Sequence, residues 1–466
     1  MSVTARPPAS ERGPSSLRVL PTLNADGTRR WIRPRTFRGR YYYRRLVVAW
    51  GLILLFSGLP FVKVGGKPLV LFDIPAREFT LFGATFLPTD GVLLMLLLLA
   101  FFLGIFLITA LLGRVWCGWG CPQTVYLEFV FRPIEQWLEG SRGQQLKLDR
   151  DGPNVRRLLK LLVFAGLAVV VANIFLAYFV GVDRLSLWVT RSPFEHPTPF
   201  LVVFAASALV YFDFVYFREQ MCTIVCPYAR LQSVLLDKNS VVVGYDRSRG
   251  EPRSRGRSTG GDCIDCQACV VACPTGIDIR KGLQLECIAC AQCVDACDGV
   301  MTKIGKPSGL IRYARQRWFA GRATGSWASP RVLMYPVLLV AVLAGLWHFG
   351  RDRSDVEVTV LRGIGAPFTL EGESVRNQLR VKLRNRAADA GSFEIALLDV
   401  PNALLIAPEN PVKLRAGEQS TVGLFVVLPR TAFERGVREI QVRIRDSQGK
   451  DHIMPYRLLG PSGPGS

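Results

Sequence analysis

Nineteen consecutive residues, LMLLLLAFFLGIFLITALL, carry no charge. A helix of about 20 apolar residues spans the hydrocarbon core of a bilayer. Backbone there must satisfy its own hydrogen bonds, so the run predicts a membrane helix over Asp90–Leu112. Four further runs meet or approach the same length: Leu46–Val62, Leu158–Gly181, Pro199–Phe217 and Val332–Phe349. The first follows a basic stretch, but it lies too deep in the chain for a secretory signal and no small-residue cleavage site follows, so it is expected to be retained. With 49% hydrophobic and 20% charged residues, the chain is neither disordered nor an ordinary soluble enzyme.

The net charge of +21 is unevenly distributed. Lys and Arg number 11 in residues 1–45, 7 in 113–157 and 17 in 218–331. The other two connections, 63–89 and 182–198, carry 3 and 2. Under the positive-inside rule the three basic segments are cytoplasmic, and five spans then put residues 350–466 outside. In a Gram-negative bacterium that means an inner-membrane protein with a periplasmic tail. The basic residues sit where topology needs them and can meet anionic lipid heads, so nucleic acid is not an expected partner.

The organisation expected is a multi-domain membrane protein. A basic N-terminal segment (1–45) precedes a four-helix membrane region (46–257). A cytoplasmic insert (258–305), a basic linker (306–331) and a fifth helix (332–349) follow. Residues 350–466 complete the chain. There VEVTVLR, NQLRVKLRNR, GSFEIALLDV, STVGLFVVLP and REIQVRIRDS alternate with period two between turn residues. They predict an all-β, immunoglobulin-like sandwich without a disulfide. Residues 1–28 and 461–466 read as flexible ends.

The insert holds two cysteine runs, Cys263-x2-Cys266-x2-Cys269-x3-Cys273-Pro274 and Cys287-x2-Cys290-x2-Cys293-x3-Cys297. This is the spacing of a bacterial two-cluster ferredoxin, in which the fourth cysteine of each run ligates the other cluster. One 4Fe–4S cluster is therefore assigned to Cys263, Cys266, Cys269 and Cys297, and a second to Cys287, Cys290, Cys293 and Cys273. Two four-thiolate zinc sites are the structural alternative, which the C-x2-C-x2-C-x3-C spacing disfavours. Asp298 stands where Pro274 stands in the first run. Its charge is expected to lower the potential of the neighbouring cluster.

The other four cysteines form a duplicated motif. Cys117-x3-Cys121-Pro122 follows the second span and Cys222-x3-Cys226-Pro227 the fourth. Each proline disfavours helix at the preceding residue and suits the first position of a new one. PQTVYLEFVFRPIEQW and PYARLQSVLLDK then read as interfacial amphipathic helices, with Cys121 and Cys226 at their N-caps. A thiol at a helix N-terminus is expected to ionise more readily. Four sulfurs together would suit Cu(I) or a thiol–disulfide couple; buried inert cysteines are the alternative. The pairs could meet within one chain or across a homodimer. Arg114, Arg218 and Arg230 read as inside-positive anchors, and Trp116 and Trp119 as an interface belt. Met221, His196 and His348 are weaker metal-ligand candidates.

The paired C-x3-C-P motifs, the ferredoxin runs, MCTIVCPYARLQSVLLDKNSVVVGYDRSRGEPR, KIGKPSGLIRY, the fifth span and the outer sandwich together resemble the cytochrome c oxidase accessory protein family, CcoG/FixG/RdxA. The likeness covers roughly residues 30–460. It implies an oxidoreductase, a cupric reductase that converts Cu(II) to Cu(I) as substrate for assembly of a cbb-type oxidase, with Cys117, Cys121, Cys222 and Cys226 as the copper-reducing residues. Partners implied are an unidentified cytoplasmic electron donor and a copper-transporting ATPase or oxidase subunits. Two other readings stay open: a quinol-oxidising polyferredoxin, and a non-enzymatic assembly scaffold.

Overall fold

The structure, a computed structural model, describes residues 21–461 except 25, 65–66, 87–89, 153, 255–259, 320, 322–329, 352–355, 388, 399 and 416, and except the side chains of 230, 233, 234, 330 and 331. It divides into two compact units, residues 1–346 and 347–466. The first unit carries helices α1 (Arg40–Gly58), α2 (Gly91–Leu112), α3 (Pro122–Tyr126), α4 (Arg132–Glu139), α5 (Val155–Val180), α6 (Pro197–Phe212), α7 (Pro227–Leu235), α8 (Ala268–Ala272) and α9 (Gln292–Lys303). Helix α10 (Pro330–Arg351) follows.

Five of these helices are long and apolar enough to cross a membrane: Arg40–Phe61, Gly91–Leu112, Val155–Val180, Pro197–Phe217 and Val332–Arg351. The first begins six residues before the apolar run, because its polar turn is capped from outside. Asp295 of the insert accepts from the N–H groups of Tyr41 (3.1 Å) and Tyr42 (2.7 Å). Of the ends read as flexible, residues 1–20 and 462–466 lie outside the described residues. From Pro21 onward the N-terminal segment is engaged: Thr22 is fully buried, Leu23 bridges to Arg29, and Arg29 pairs with Glu219 at 3.3 Å.

The segment read as an interfacial helix after Pro122 is buried. A π-helical turn, Leu127–Phe131, joins α3 to α4. Val125, Tyr126, Leu127, Phe129 and Phe131 all enter the core with Ala49, Ile53, Phe164 and Phe214. Phe131 stacks on Phe214 with centroids 4.2 Å apart. The polar face of this helix is equally enclosed. Glu135 accepts two bonds of 2.9 Å from Arg218, one of 2.6 Å from Arg33 and one of 3.3 Å from Lys160. Arg218 is thus a buried partner rather than a surface anchor. Amphipathicity here serves an ionic core, not a lipid surface.

At the far end of the membrane helices a meander of β1 (Val70–Asp73), β2 (Glu78–Leu81) and β3 (Ala84–Phe86) joins α1 to α2. At the opposite end, β4 (Val241–Tyr245) pairs antiparallel with β5 (Ile311–Arg315), closing the cysteine-rich insert between them. Part of the segment read as a basic linker is therefore a strand of this sheet.

The second unit is a sandwich. Its strands are β6 (Val356–Arg362), β7 (Thr369–Glu371), β8 (Ser374–Asn385), β9 (Gly391–Leu398), β10 (Leu404–Ile406), β11 (Val412–Leu414), β12 (Gln419–Pro429), β13 (Val437–Arg445) and β14 (Asp451–Leu459). One sheet runs β10-β12-β8-β6 with β7 on β8; the other runs β11-β9-β13-β14. Strand β8 alternates without a fault, burying Val375, Leu379, Val381 and Leu383 against Ile395, Val442 and Ile444. Each such side chain contributes about 1.5–3 kcal/mol. Strand β14 was hidden in the sequence by Pro455, which an edge strand tolerates.

Candidate functional site

The two cysteine runs adopt the same backbone. In each, the residues flanking the second cysteine are left-handed: Asp265 (φ 50°) and Gln267 (φ 57°) around Cys266, Ala289 (φ 51°) and Ala291 (φ 57°) around Cys290. Such turns wrap a short chain around a centre. A short helix then carries the third cysteine, Cys269 on α8 and Cys293 on α9. Pro274 cannot continue a helix, so α8 stops at Ala272 and Cys273 turns away in extended conformation. Asp298 lets α9 run on through Cys297 to Lys303, and its carboxylate accepts from Gly309 N–H at 2.7 Å.

These turns enclose two cavities. One, of about 340 Å³, is lined by Cys263, Cys266, Cys269 and Cys297 with Tyr245, Ile264 and Met301. The other, of about 350 Å³, is lined by Cys273, Cys287, Cys290 and Cys293 with Ile277, Ile288 and Ala291. Cys269 borders both, so the cavities adjoin. All twelve cysteines are free. Among the described residues no three His, Cys, Asp or Glu side chains converge on a point that would hold one metal ion. Each set of four thiols instead lines its own cavity, the grouping that two cubane clusters call for.

Burial pushes Cys269 and Cys297 up to about 12, and Cys287 and Cys290 up to about 11. Cys293 is raised well above its ordinary value for the same reason. Thiols enclosed like this ionise only by bonding a cation, and iron supplies that. The residues present therefore fit two 4Fe–4S clusters. Cys266 is exposed, so the first cavity reaches the surface.

The second cavity faces the membrane helices. Helix α2 ends at Leu112, a short helix Val115–Trp119 carries Cys117, and Cys121 caps α3 with ψ 125°. The second motif repeats this: a π-helical turn Met221–Val225 carries Cys222, and Cys226 caps α7 with ψ 111°. Both prolines open their helices at the first position, as their spacing predicts. The two motifs meet within one chain. Cys117 packs with Ile288 and Cys290 of the insert, and Cys222 and Tyr228 pack against that group. Gln232, fully buried, accepts from the Cys117 thiol at 3.1 Å and donates to Tyr228 Oη at 2.9 Å.

Contact with the insert is close. A Cβ on Gly118 would lie 2.5 Å from the Ile288 carbonyl oxygen and 2.9 Å from the Cys290 backbone. Trp119 Nε1 donates to Tyr313 Oη at 3.1 Å, and Tyr313 donates in turn to the Ala289 carbonyl. Arg114 donates to the carbonyls of Leu285 and Ala229 and, at 3.2 Å, of Cys287. Trp119 and Arg114, read as interface belt and charge anchor, thus lock the insert to the membrane region. Trp116 is 43% exposed and lines an apolar cavity of about 580 Å³ with Leu52, Phe56, Pro122 and Tyr126.

The expected low thiol pKa does not hold at the Cys121 cap. Burial raises Cys121 although the N–H groups of Thr124 and Gln123 oppose it. Burial and the neighbouring thiols push Cys117 and Cys222 up to about 12. Helix-terminal dipoles are weaker here than desolvation. Met221 lies partly buried in the π turn; His196 contacts Arg191 at 3.1 Å, and His348 packs edge-on to Phe349. The Arg230 side chain lies outside the described residues.

Sequence reasoning passed over Gly118, Arg45, Gln232, Tyr313, Asp295 and Glu135. Only two of them left a trace: Gln232 as a lone amide in an apolar stretch, and Gly118 between two tryptophans.

Family models match three segments. One described as a 4Fe-4S binding domain matches residues 94–143, one described as a 4Fe-4S dicluster domain matches 217–316, and one described as the IG-like fold at the C-terminal of FixG matches 348–461. The segment 94–143 holds only Cys117 and Cys121, fewer than a cubane needs. Among curated proteins the chain is similar to Protein RdxA of Cereibacter sphaeroides, at 34% identity over 90% of this chain and 94% of that protein. It is similar to Nitrogen fixation protein FixG of Rhizobium meliloti, at 32% identity over 87% and 88%. Protein RdxB of Cereibacter sphaeroides is 35% identical over 77% and 79%.

Proposed function

Because this chain belongs to the FixG/RdxA family of membrane iron–sulfur proteins, we propose that it carries single electrons through two 4Fe–4S clusters to Cu(II) at the four membrane-edge thiols. Cys263, Cys266, Cys269 and Cys297 would hold the outer cluster, and Cys287, Cys290, Cys293 and Cys273 the inner one. Bound there, the clusters supply one electron at a time. Exposed Cys266 is the edge that a soluble donor would approach, Cys269 borders both cavities, and Cys290 packs against Cys117 of the membrane-edge thiols. Each electron converts one Cu(II) to Cu(I), and the sulfurs of Cys117, Cys121, Cys222 and Cys226 favour the reduced ion. The insert and the thiol group face the cytoplasm, the sandwich faces the periplasm, and Cu(I) passes to a copper-transporting ATPase or to oxidase assembly.

The observation that carries this reading is the contact of Gly118, next to Cys117, with the Cys290 backbone. It supports the reading because the segment that carries Cys117 packs on the backbone of the segment that carries Cys290. The test is stoichiometric. Protein reduced by dithionite and freed of excess, mixed anaerobically with Cu(II) and a Cu(I) chelator, yields one Cu(I) per cluster electron. No Cu(I) above a cluster-free control contradicts the proposal.

A second reading has its own support in the apolar cavity beside Trp116, Gly120 and Pro122, which lies between the first membrane helix and the first motif. A quinol could deliver electrons there. Cluster reduction by a water-soluble quinol in detergent, abolished by Gly120→Leu, would favour this reading as the source of electrons.

A further inference from the structure

Arg45 lies on the first membrane helix and is fully buried. Its Nε donates to the Gly118 carbonyl at 2.8 Å. Nη1 and Nη2 have no hydrogen-bond partner, and among the described residues no carboxylate pairs with it. A buried, unpaired guanidinium is costly unless a negative charge belongs beside it. The nearest candidate is the inner cavity: Gly118 packs on Cys290, and Arg45 acts electrostatically on the Cys290 thiol.

The outer cavity is built differently. Its arginine, Arg280, is neutralised by Asp278 at 2.8 Å and Asp265 at 2.6 Å. Asp298 adds a negative charge next to Cys297. Around the inner cavity, Arg132 is likewise cancelled by Glu128 and Glu219, and Glu286, half-buried, lies near Cys287. Arg114 spends its donors on carbonyls. Arg114 keeps its charge, but among the described residues Arg45 is the cation there that has neither a carboxylate nor hydrogen-bond partners for its Nη groups; only the Phe129 ring faces its guanidinium, 5.3 Å away.

We propose that Arg45 is the counter-cation of the inner cluster and makes it the higher-potential member of the pair. Four thiolates give a ligated cluster net negative charge, which grows by one on reduction. A fixed positive charge and free N–H donors beside it favour the reduced form. Electrons then run downhill from the outer cluster to the inner one and on towards the membrane-edge thiols. Arg45 is a positioning residue in this scheme. The inference rests on the cluster assignment and is independent of the copper step.

The test is a redox titration of the full-length protein in detergent, followed by electron paramagnetic resonance, with iron content as the control for folding. In Arg45→Gln, which keeps a donor for Gly118 but loses the charge, the higher of the two midpoint potentials falls. The expected change is at least tenfold in the reduction equilibrium, about 59 mV for one electron. The lower potential stays. Arg45→Lys, which keeps the charge and loses the guanidinium, retains the wild-type value within threefold. The proposal is overturned if neither potential moves in Arg45→Gln, if only the lower one moves, or if Gln and Lys shift it equally. Should Arg45→Gln lose iron while Arg45→Lys keeps iron and both potentials, charge is still shown to be required. Loss of iron in both variants would make Arg45 a docking residue and overturn the electrostatic role.

Discussion

Gly118→Ala probes the joint between the cluster insert and the membrane helices. Residue 118 lies in a short helix, where alanine alone would stabilise by roughly 0.5–1 kcal/mol. The added carbon would stand 2.5 Å from the Ile288 carbonyl and 2.9 Å from two Cys290 backbone atoms, where ordinary contact begins at 3.4 Å. These are backbone atoms on a strained loop, so they cannot swing aside. Overpacking of this kind costs about 1–3 kcal/mol. The net expectation is a loss of up to roughly 2.5 kcal/mol concentrated at the joint. Gly299 is the control, since a Cβ there meets nothing within 4 Å. The assay pairs hydrogen exchange of residues 285–293 with the rate of cluster reoxidation by Cu(II). Gly118→Ala should speed both exchange and slow reoxidation, while Gly299→Ala leaves both as in wild type. Wild-type behaviour in Gly118→Ala would refute the claim that the two backbones touch.

Glu135→Gln should unfold the membrane unit more readily by about 3–5 kcal/mol, read as a drop in thermal midpoint, because Arg218, Arg33 and Lys160 lose a shared buried anion. Although burial opposes it, those cations hold the Glu135 carboxyl far below its ordinary value. Its stabilisation is therefore complete above the unfolded carboxyl's range near 4.3 and fades only as pH falls towards the lower folded value. Glu135→Gln should accordingly show a flatter acid-unfolding profile below about pH 4 and the same profile shape between 5 and 8; an unchanged acid limb counts against this. Asp295→Ala strips the cap from Tyr41 and Tyr42 and should cost about 0.5–2 kcal/mol, visible as faster exchange at residues 40–43. Leu383→Ala, in the core of the sandwich, should destabilise that unit by about 2–5 kcal/mol while cluster content is unchanged.

Much of this architecture is local in origin and was legible in the residue order. Apolar length announces the spans, alternation announces β8 and β12, and cysteine spacing announces two paired cluster loops. What escaped depends on contacts between distant segments. The length of α1 is set by Asp295, some 250 positions away, so hydropathy placed its start at Leu46 instead of Arg40. The helix after Pro122 carries the same amphipathic pattern whether its polar face meets lipid heads or Arg218, and only the fold decides. The thiol environment escapes the residue order for a related reason: a cap position is visible in sequence, but the burial that outweighs it at Cys121 is not. Asp298 also serves a role that spacing could not reveal. It permits α9 to continue past Cys297, so replacing it with proline would break a helix as well as remove a charge.

The most direct measurement compares wild type with a variant in which Cys117, Cys121, Cys222 and Cys226 are all serine. Both are purified with their clusters, reduced, freed of dithionite and mixed with Cu(II) in an anaerobic stopped flow. The account predicts that wild type reoxidises its clusters with matching Cu(I) formation, and that the variant, with wild-type iron content, fails to do either on the same timescale. Equal reoxidation by the variant would mean that Cu(II) takes electrons from the clusters without the membrane-edge thiols, and would contradict the account.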